Sequence, residues 1–412
     1  MIASRAITAC RYCGSGDLTP FLSLGAQPPS NSFLRPEQIA SEQRFPLDVG
    51  VCASCHLVQL LDTVPPDAIF DDYLYRSSSS KALVAHYGAL AARLRERFHL
   101  QPGDVVVDIG ANDGILLNGY GADGLVKVGV EPSKVGALAP PDIHVIKAFF
   151  GPDAATQIVR TWGRAKVVTA TNVFPHVDDI STFTHGLAQL LDPAGVFVIE
   201  APYLIDLIDQ TLFDTIYHEH LAYLSLTPLA PFLARHGLTV FDVERVPFGA
   251  SGPAIRVFSA PAGAARPVSD AVGDMLAAEK EWGVDSLDAY RSYARKVEAV
   301  KERLLVLLQR LAASGARIGG YGAPAKGNTL LNYAGITPAL IGYIAEANPV
   351  KQGLVTPGSH VPIISDEEFL ERMPEYALLL PWNYAEFFLK NSEYVRRGGK
   401  FVIPIPEPSI AP

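Results

Sequence analysis

Cysteine is scarce in this chain: 412 residues hold four, and no fifth thiol exists to pair with any of them. Lys and Arg form no block anywhere in a protein of formal net charge -9, and Arg5, Arg11, Arg35 and Arg44 stand singly. That spacing excludes a basic track for nucleic-acid phosphates. No uninterrupted apolar run is long enough to span a bilayer, and Met1 to Thr8 holds one Arg and no apolar run of signal-peptide length. A cytoplasmic monomer with no nucleic-acid or membrane partner is the expectation.

The four cysteines fall into two Cys-x-x-Cys pairs, Cys10 with Cys13 and Cys52 with Cys55. Two tight turns each presenting two thiolates can close a tetrahedron around one Zn²⁺. Two disulfides or redox dithiols are the alternative, but nothing at the N-terminus speaks for an oxidising compartment. A closed four-thiolate shell leaves no position for water or substrate, so such a zinc would be structural.

At 49% hydrophobic and 19% charged residues the composition is that of a well-packed soluble protein, and the chain is too long for one core. Three segments are expected: a loop-rich zinc-binding module over 1–68, an α/β domain over 69–255 and a second over 256–412. Ser77 to Ser80 read as helix-entry chemistry before an amphipathic helix from about Lys81 to Phe98. Apolar runs at Val105–Ile109, Val126–Val130, Val167–Ala170 and Val196–Ile199 predict strands of a mostly parallel sheet. Helical periodicity follows over Val268–Glu281 and Ser286–Ala313, and strands are predicted again at Ile318–Gly322, Leu340–Ile344, Ala377–Leu380 and Phe401–Ile405.

The run from Asp108 to Leu117 follows a strand and opens a helix, so Gly110 and Gly114 can bring bare backbone close to a ligand. Glu131 ends the next strand, where a carboxylate accepts both ribose hydroxyls of a nucleoside. The pairing suits any adenosine-containing cofactor. Asp113 adds a negative charge that would repel a pyrophosphate but not a sulfonium, which favours S-adenosylmethionine over NAD.

Titratable groups are densest around Asp214 and Tyr217-His-Glu-His220, in an otherwise apolar stretch. Burial there would keep imidazole neutral and able to take a proton. A metal-binding or merely structural His pair is the competing reading. The second glycine-rich turn, Gly320-Tyr-Gly-Ala-Pro-Ala-Lys-Gly327, has flanks suited to an anion, with Lys326 supplying charge and Asn328 or Thr329 donors. It lacks the Gly-Lys-Ser/Thr order of a Walker loop. A nucleotide-sugar diphosphate is the expected ligand; a dinucleotide paired with Glu346 is the alternative.

Taken in order, the cysteine pairs, the Asp108–Gly114 turn, Asn172-Val-Phe-Pro-His176, Tyr217–His220, Gly320–Gly327 and Asn348-Pro-Val-Lys-Gln-Gly353 resemble the sugar C-methyltransferases of nucleotide-linked 4-keto deoxysugars. The resemblance covers nearly the whole chain. It implies a zinc module, a class I methyltransferase core of Rossmann-like fold and a second, Rossmann-like C-terminal domain that has lost the methyl-donor site and serves the sugar nucleotide. It implies S-adenosylmethionine contacts from Asp108, Gly110, Asn112, Gly114, Glu131 and Asn172. His220 would be the base or its close partner, Tyr217 and Glu219 would position the sugar, and His176 would lie near the keto oxygen. Tyr73 or Tyr75, with Tyr321, Lys326, Asn328 and Lys351, would contact the dTDP- or GDP-linked substrate. Methylation is expected at C-3, beside the ketone; C-5 also flanks it. An NAD-dependent sugar-nucleotide oxidoreductase and a zinc-ribbon binding protein with degenerate α/β domains are the other readings.

Overall fold

Continuous β-branched runs such as Val105-Val-Val-Asp-Ile109 are stable only when both faces are covered, and the computed structural model places that strand, every residue of it buried, inside a seven-stranded sheet. The model describes all residues except 1, 2, 67, 68, 70–75, 123, 250, 251, 265 and 412, so Tyr73 and Tyr75 lie outside the described residues. The sheet runs in the order Leu238–Val246, Ala254–Pro261, Leu191–Pro202, Ala165–Thr171, Val105–Ile109, Val126–Val130, Ile143–Ile146. Its last five strands are parallel, and the Leu238–Val246 and Ala254–Pro261 pair is antiparallel. The chain starts in the middle, builds to one side and returns to the other. A crevice therefore opens where Val105–Ile109 meets Ala165–Thr171, at their carboxyl ends. The antiparallel pair was not anticipated, and it carries this sheet past residue 255 to Pro261.

A second sheet repeats the plan in the order Ile363–Ile364, Ile344–Ala345, Ile318–Tyr321, Tyr376–Leu379, Lys400–Ile403, Ser409–Ala411. Its switch point falls between Ile318–Tyr321 and Tyr376–Leu379. The expected strand over Leu340–Ile344 shrinks to Ile344–Ala345, because Leu340 and Ile341 spend their N–H groups on the Thr337 carbonyl in a turn around Pro338. Helices Lys81–Arg97, Asp270–Trp282 and Leu287–Ala313 match the periodicity closely, and Ser80 caps the first by accepting from the Leu83 N–H. No helix among the described residues is long and apolar enough to cross a membrane.

The N-terminal segment departs from the loop-rich expectation. Leu18–Gln27, Phe45–Cys52 and Val58–Leu60 form an antiparallel sheet completed by Ala222–Tyr223. So short a unit buries little core of its own. Leu22, Leu24, Leu47, Val49 and Leu60 instead share a core with Tyr290, Tyr293, Val297 and Leu304 of the 27-residue helix Leu287–Ala313. Cys52 ends the strand Phe45–Cys52, and the other three cysteines gather around it. Cys10 Sγ lies 3.5 Å from Cys55 Sγ, Cys13 Sγ 3.5 Å from Cys52 Sγ, and all four sulfurs lie within 4.8 Å of one another. Four thiolates at about 2.3 Å from one zinc stand about 3.8 Å apart, so the cluster fits the ion.

Beside the cysteines, Tyr12 stacks on Phe232 at 4.4 Å and its carbonyl accepts from Arg235, which ties the metal knuckle to the helix Leu226–Arg235. The other end of that helix is held by Glu279. This buried carboxylate accepts from Leu226 N, Thr227 N, Thr227 Oγ1 and Tyr203 Oη at 2.6–3.1 Å. It serves as a cap supplied from another helix, satisfying N–H groups the helix cannot pair itself.

Two outcomes follow. Elemental analysis of the purified protein should find one zinc per chain, and Cys52→Ser should lower zinc content and melting temperature together while protein that remains folded keeps its methyl-donor affinity; a metal-free, fully folded native protein would refute the assignment. Glu279→Ala should lower the free energy of unfolding by about 3 kcal/mol, since it strands buried donors that now bind a charged group. Denaturant unfolding measures this, and a loss near zero would show the cap to be dispensable.

Candidate functional site

At the first switch point the backbone must turn under a ligand without a side chain in the way. Gly110 takes φ +68°, and a Cβ there would meet Val173 Cγ2 at 2.2 Å; Gly114, at φ +78°, opens the short helix Ile115–Asn118. Both positions require glycine. Glu131 reaches back beneath the turn, accepting from Asn112 N and Ser133 N, each at 2.9 Å. Each carboxylate oxygen keeps a further lone pair for a diol. Asn172, on the other side of the crevice, sits at φ +56°, donates its backbone N–H to the Glu200 carbonyl at 2.7 Å and donates from Nδ2 to Tyr87 Oη at 3.1 Å.

Asp108 is buried within its strand, where the Thr169 hydroxyl donates to it at 2.6 Å and burial pushes its carboxyl up to about 7. Asn112 Oδ1 accepts from Ser77 N at 2.9 Å. Asp113 differs from the sequence reading: its charge does not stand free at the turn. Arg76 Nε meets it at 3.1 Å and Ser78 N at 3.3 Å, so the entry segment neutralises it and the electrostatic argument against a pyrophosphate loses force.

The titratable cluster forms one buried loop. His220 Nδ1 lies 2.6 Å from the Thr215 carbonyl oxygen, which can only accept, so Nδ1 carries the proton and Nε2 the lone pair in the neutral ring. Burial lowers its pKa to about 4. His176 stacks on His220 with centroids 5.0 Å apart, Tyr217 lies at 4.0 Å, and Leu221 N donates to the Pro175 carbonyl. His176 is held well below its ordinary value by desolvation and by His220. A cavity of about 10 Å³, room for one water, is lined by Asn172, His176, Thr215, His220 and Tyr223. Asn172, just past the end of the strand Ala165–Thr171, thus shares a cavity with both imidazoles.

His218 faces away, its Nε2 between the Phe45 and Pro46 carbonyls at 3.3 and 3.2 Å. That histidine holds structure. Glu219 receives Asn31 Nδ2 on Oε1 at 2.7 Å, and burial pushes its carboxyl up to about 7. Asp214, fully buried, accepts from Trp382 Nε1 at 2.6 Å. Asn31 and Trp382 were missed by sequence reasoning. Neither lies in a motif, and each acts across more than 160 residues of chain.

The second switch point copies the first. Gly322 takes φ +75°, with a Cβ there 2.7 Å from Pro381 Cδ, and donates to the Ala345 carbonyl as Gly110 does to that of Val130. Glu346 accepts from Ala323 N and Asn348 N, both at 2.8 Å, as Glu131 does in the first sheet. Lys326 Nζ donates to Asn383 Oδ1 at 2.6 Å, lies 4.3 Å over the Trp382 ring and stands 4.0 Å from Asp214. Lys351 Nζ donates to the Ala323 carbonyl at 2.8 Å and lies over Phe33. Both ammonium groups thus stand at the turn. Asn328 is wholly buried, donating to the Ser30 carbonyl at 2.7 Å, and the Tyr321 ring packs among Phe369, Phe388, Tyr394 and Phe401.

Residues 10–70 match the family described as "Putative zinc binding domain", residues 83–243 a methyltransferase domain, and residues 250–406 the C-methyltransferase C-terminal domain. The C-methyltransferase NovU of Streptomyces niveus is 37% identical over 410 residues, 98% of this chain and 97% of NovU. Among solved structures, an S-adenosylmethionine-dependent methyltransferase of Clostridium acetobutylicum covers 43% of this chain and 92% of its own at 11% identity and a TM-score of 0.34. Magnesium protoporphyrin IX methyltransferase of Synechocystis covers 43% and 82% at 16% identity and a TM-score of 0.34. The glycine turn with its carboxylate fits the methyl donor, the four thiolates fit zinc, and the full-length match settles the family: the chain belongs to the S-adenosylmethionine-dependent C-methyltransferases with an N-terminal zinc-binding domain.

Proposed function

We propose that the enzyme methylates C-3 of a nucleotide-linked 4-keto-6-deoxysugar, with His220 as the base that forms the enolate. The observation that carries the reading is a buried, uncharged imidazole whose Nδ1–H is committed to the Thr215 carbonyl, with no partner on Nε2 among the described residues, in a ring that lines one small cavity with Asn172. Carbon is not a nucleophile until a proton is removed, and a neighbouring ketone makes that proton acidic enough for a neutral imidazole.

His220 Nε2 takes the C-3 proton, and the Thr215 carbonyl stabilises the imidazolium through Nδ1–H. His176, stacked on that ring, lies where the keto oxygen gains charge, and its N–H group stabilises the enolate. Glu219 accepts a sugar hydroxyl and Tyr217 packs on the substrate, which aligns C-3 for in-line attack. S-adenosylmethionine supplies an electrophilic methyl carbon when bound; Gly110, Asn112, Gly114, Glu131 and Asn172 would hold it. Lys326 and Lys351, at the second turn, would meet the diphosphate, and Glu346 the nucleoside ribose.

His220→Asn should reduce turnover by about 10²–10⁴-fold with little change in ligand affinity. Deuterium exchange of the sugar's α-proton, run with an inert methyl-donor analogue, tests the step directly: wild type should exchange it and the variant should not, and normal exchange in the variant would move the base elsewhere. Product carbon assignments by NMR should show the new methyl group on C-3 and not C-5. Glu131→Ala should weaken S-adenosylmethionine binding by about 1.5–3 kcal/mol in calorimetry; unchanged affinity would place the ribose on another group.

A further inference from the structure

We infer that Asn31, a residue of the zinc-bound module, is a positioning residue of the methyl-transfer site: its side-chain amide orients the Glu219 carboxylate for the sugar. The inference rests on the reading that Glu219 accepts a sugar hydroxyl. Glu219 is 3% exposed, and its one hydrogen bond among the described residues comes from Asn31 Nδ2 to Oε1 at 2.7 Å. Oε2 has no protein donor there, so it is the atom left for a substrate hydroxyl. A carboxylate only accepts, which makes the Asn31 nitrogen, and not its oxygen, the atom that faces it.

The loop carrying Asn31 is held rigid from both sides. Pro28 and Pro29 precede it, both buried, with φ set by their rings. The Ser30 carbonyl accepts from Asn328 Nδ2 at 2.7 Å, Ser30 Oγ lies 3.2 Å from Thr329 Oγ1, and Leu34 exchanges both backbone hydrogen bonds with Val355. These contacts fix the amide against the C-terminal domain. On the metal side, Leu18–Gln27 leads straight into the loop and pairs with Phe45–Cys52, with Leu18 opposite Cys52 and Gln27 opposite Phe45. The same strand end receives His218 on its Phe45 and Pro46 carbonyls. The module therefore grips the loop at two successive residues, 218 and 219. Zinc that touches no substrate is thus connected to the group that does.

The consequence is electrostatic. Asp214, Tyr217, His218 and His220 are the other titratable groups of its loop; burial lowers both imidazoles and raises the Asp214 carboxyl, and among the described residues no charged group acts on Glu219 beside burial and the Asn31 amide. No Lys or Arg pairs with it among the described residues. Burial raises the carboxyl and the Asn31 amide opposes that rise. Loss of the amide therefore moves the group further up, and the ionised acceptor exists only at higher pH.

The test measures kcat/KM for the sugar nucleotide against pH on zinc-loaded, full-length enzyme, with zinc content and melting temperature recorded for each variant. Asn31→Ala should lower kcat/KM near neutral pH about 10–100-fold, the range for losing a hydrogen bond to a charged group, shift the acid limb to higher pH and leave S-adenosylmethionine affinity unchanged. Asn31→Asp, nearly isosteric, sets carboxyl against carboxyl and should shift the limb further; it decides the matter if the alanine variant loses zinc or fold. In a Glu219→Gln background the alanine substitution should move the limb no further. An acid limb unmoved in folded, zinc-replete Asn31→Ala or Asn31→Asp enzyme overturns the inference. Wild-type turnover in Glu219→Gln alone would instead overturn the underlying role of Glu219.

Discussion

A buried loop that carries two carboxyl groups and two imidazoles between residues 214 and 220 is stable only if each polar group finds a partner. The loop itself provides one, the Thr215 carbonyl for His220. The others arrive from two different parts of the chain. Trp382 of the C-terminal domain donates to Asp214, while Asn31 and the Phe45 and Pro46 carbonyls of the zinc-bound module meet Glu219 and His218. Much of the architecture is explained by this demand. The module and the C-terminal domain must both be docked before the loop has a defined shape, and their shared core with the helix Leu287–Ala313 holds them there.

The two α/β units share more than topology. Each ends a central strand in a left-handed glycine, sends a carboxylate from the next strand back to the turn, and brings the crossover strand within reach of the glycine's missing side chain. They differ in the charge at the rim. The first has Asp113 neutralised by Arg76, and the second has Lys326 and Lys351. One architecture thereby presents two glycine turns whose rims differ in charge.

Local chemistry was legible in the residues themselves. Two Cys-x-x-Cys turns and no other thiol mean a four-sulfur cluster, continuous Val and Ile runs mean covered strands, and Gly110 opens a tight strand-to-helix turn, because each signal acts within a few residues of its cause. The N-terminal sheet, the antiparallel edge of the main sheet and the packed ring of Tyr321 were not legible, since propensity over two to ten residues says little about which distant surface will cover them.

The sequence by itself determined the inventory: the metal ligands, the glycine turns, and a run of titratable residues dense enough to suggest chemistry. Tertiary structure alone decided how those residues are tuned. It turned His218 toward the N-terminal sheet and His220 toward the Thr215 carbonyl, paired Asp113 with Arg76, and joined Asn31 to Glu219 across 188 residues and Trp382 to Asp214 across 168. Desolvation and hydrogen bonding in a low-dielectric interior depend on which chain segments meet in space, and no pattern of spacing along the chain encodes that meeting.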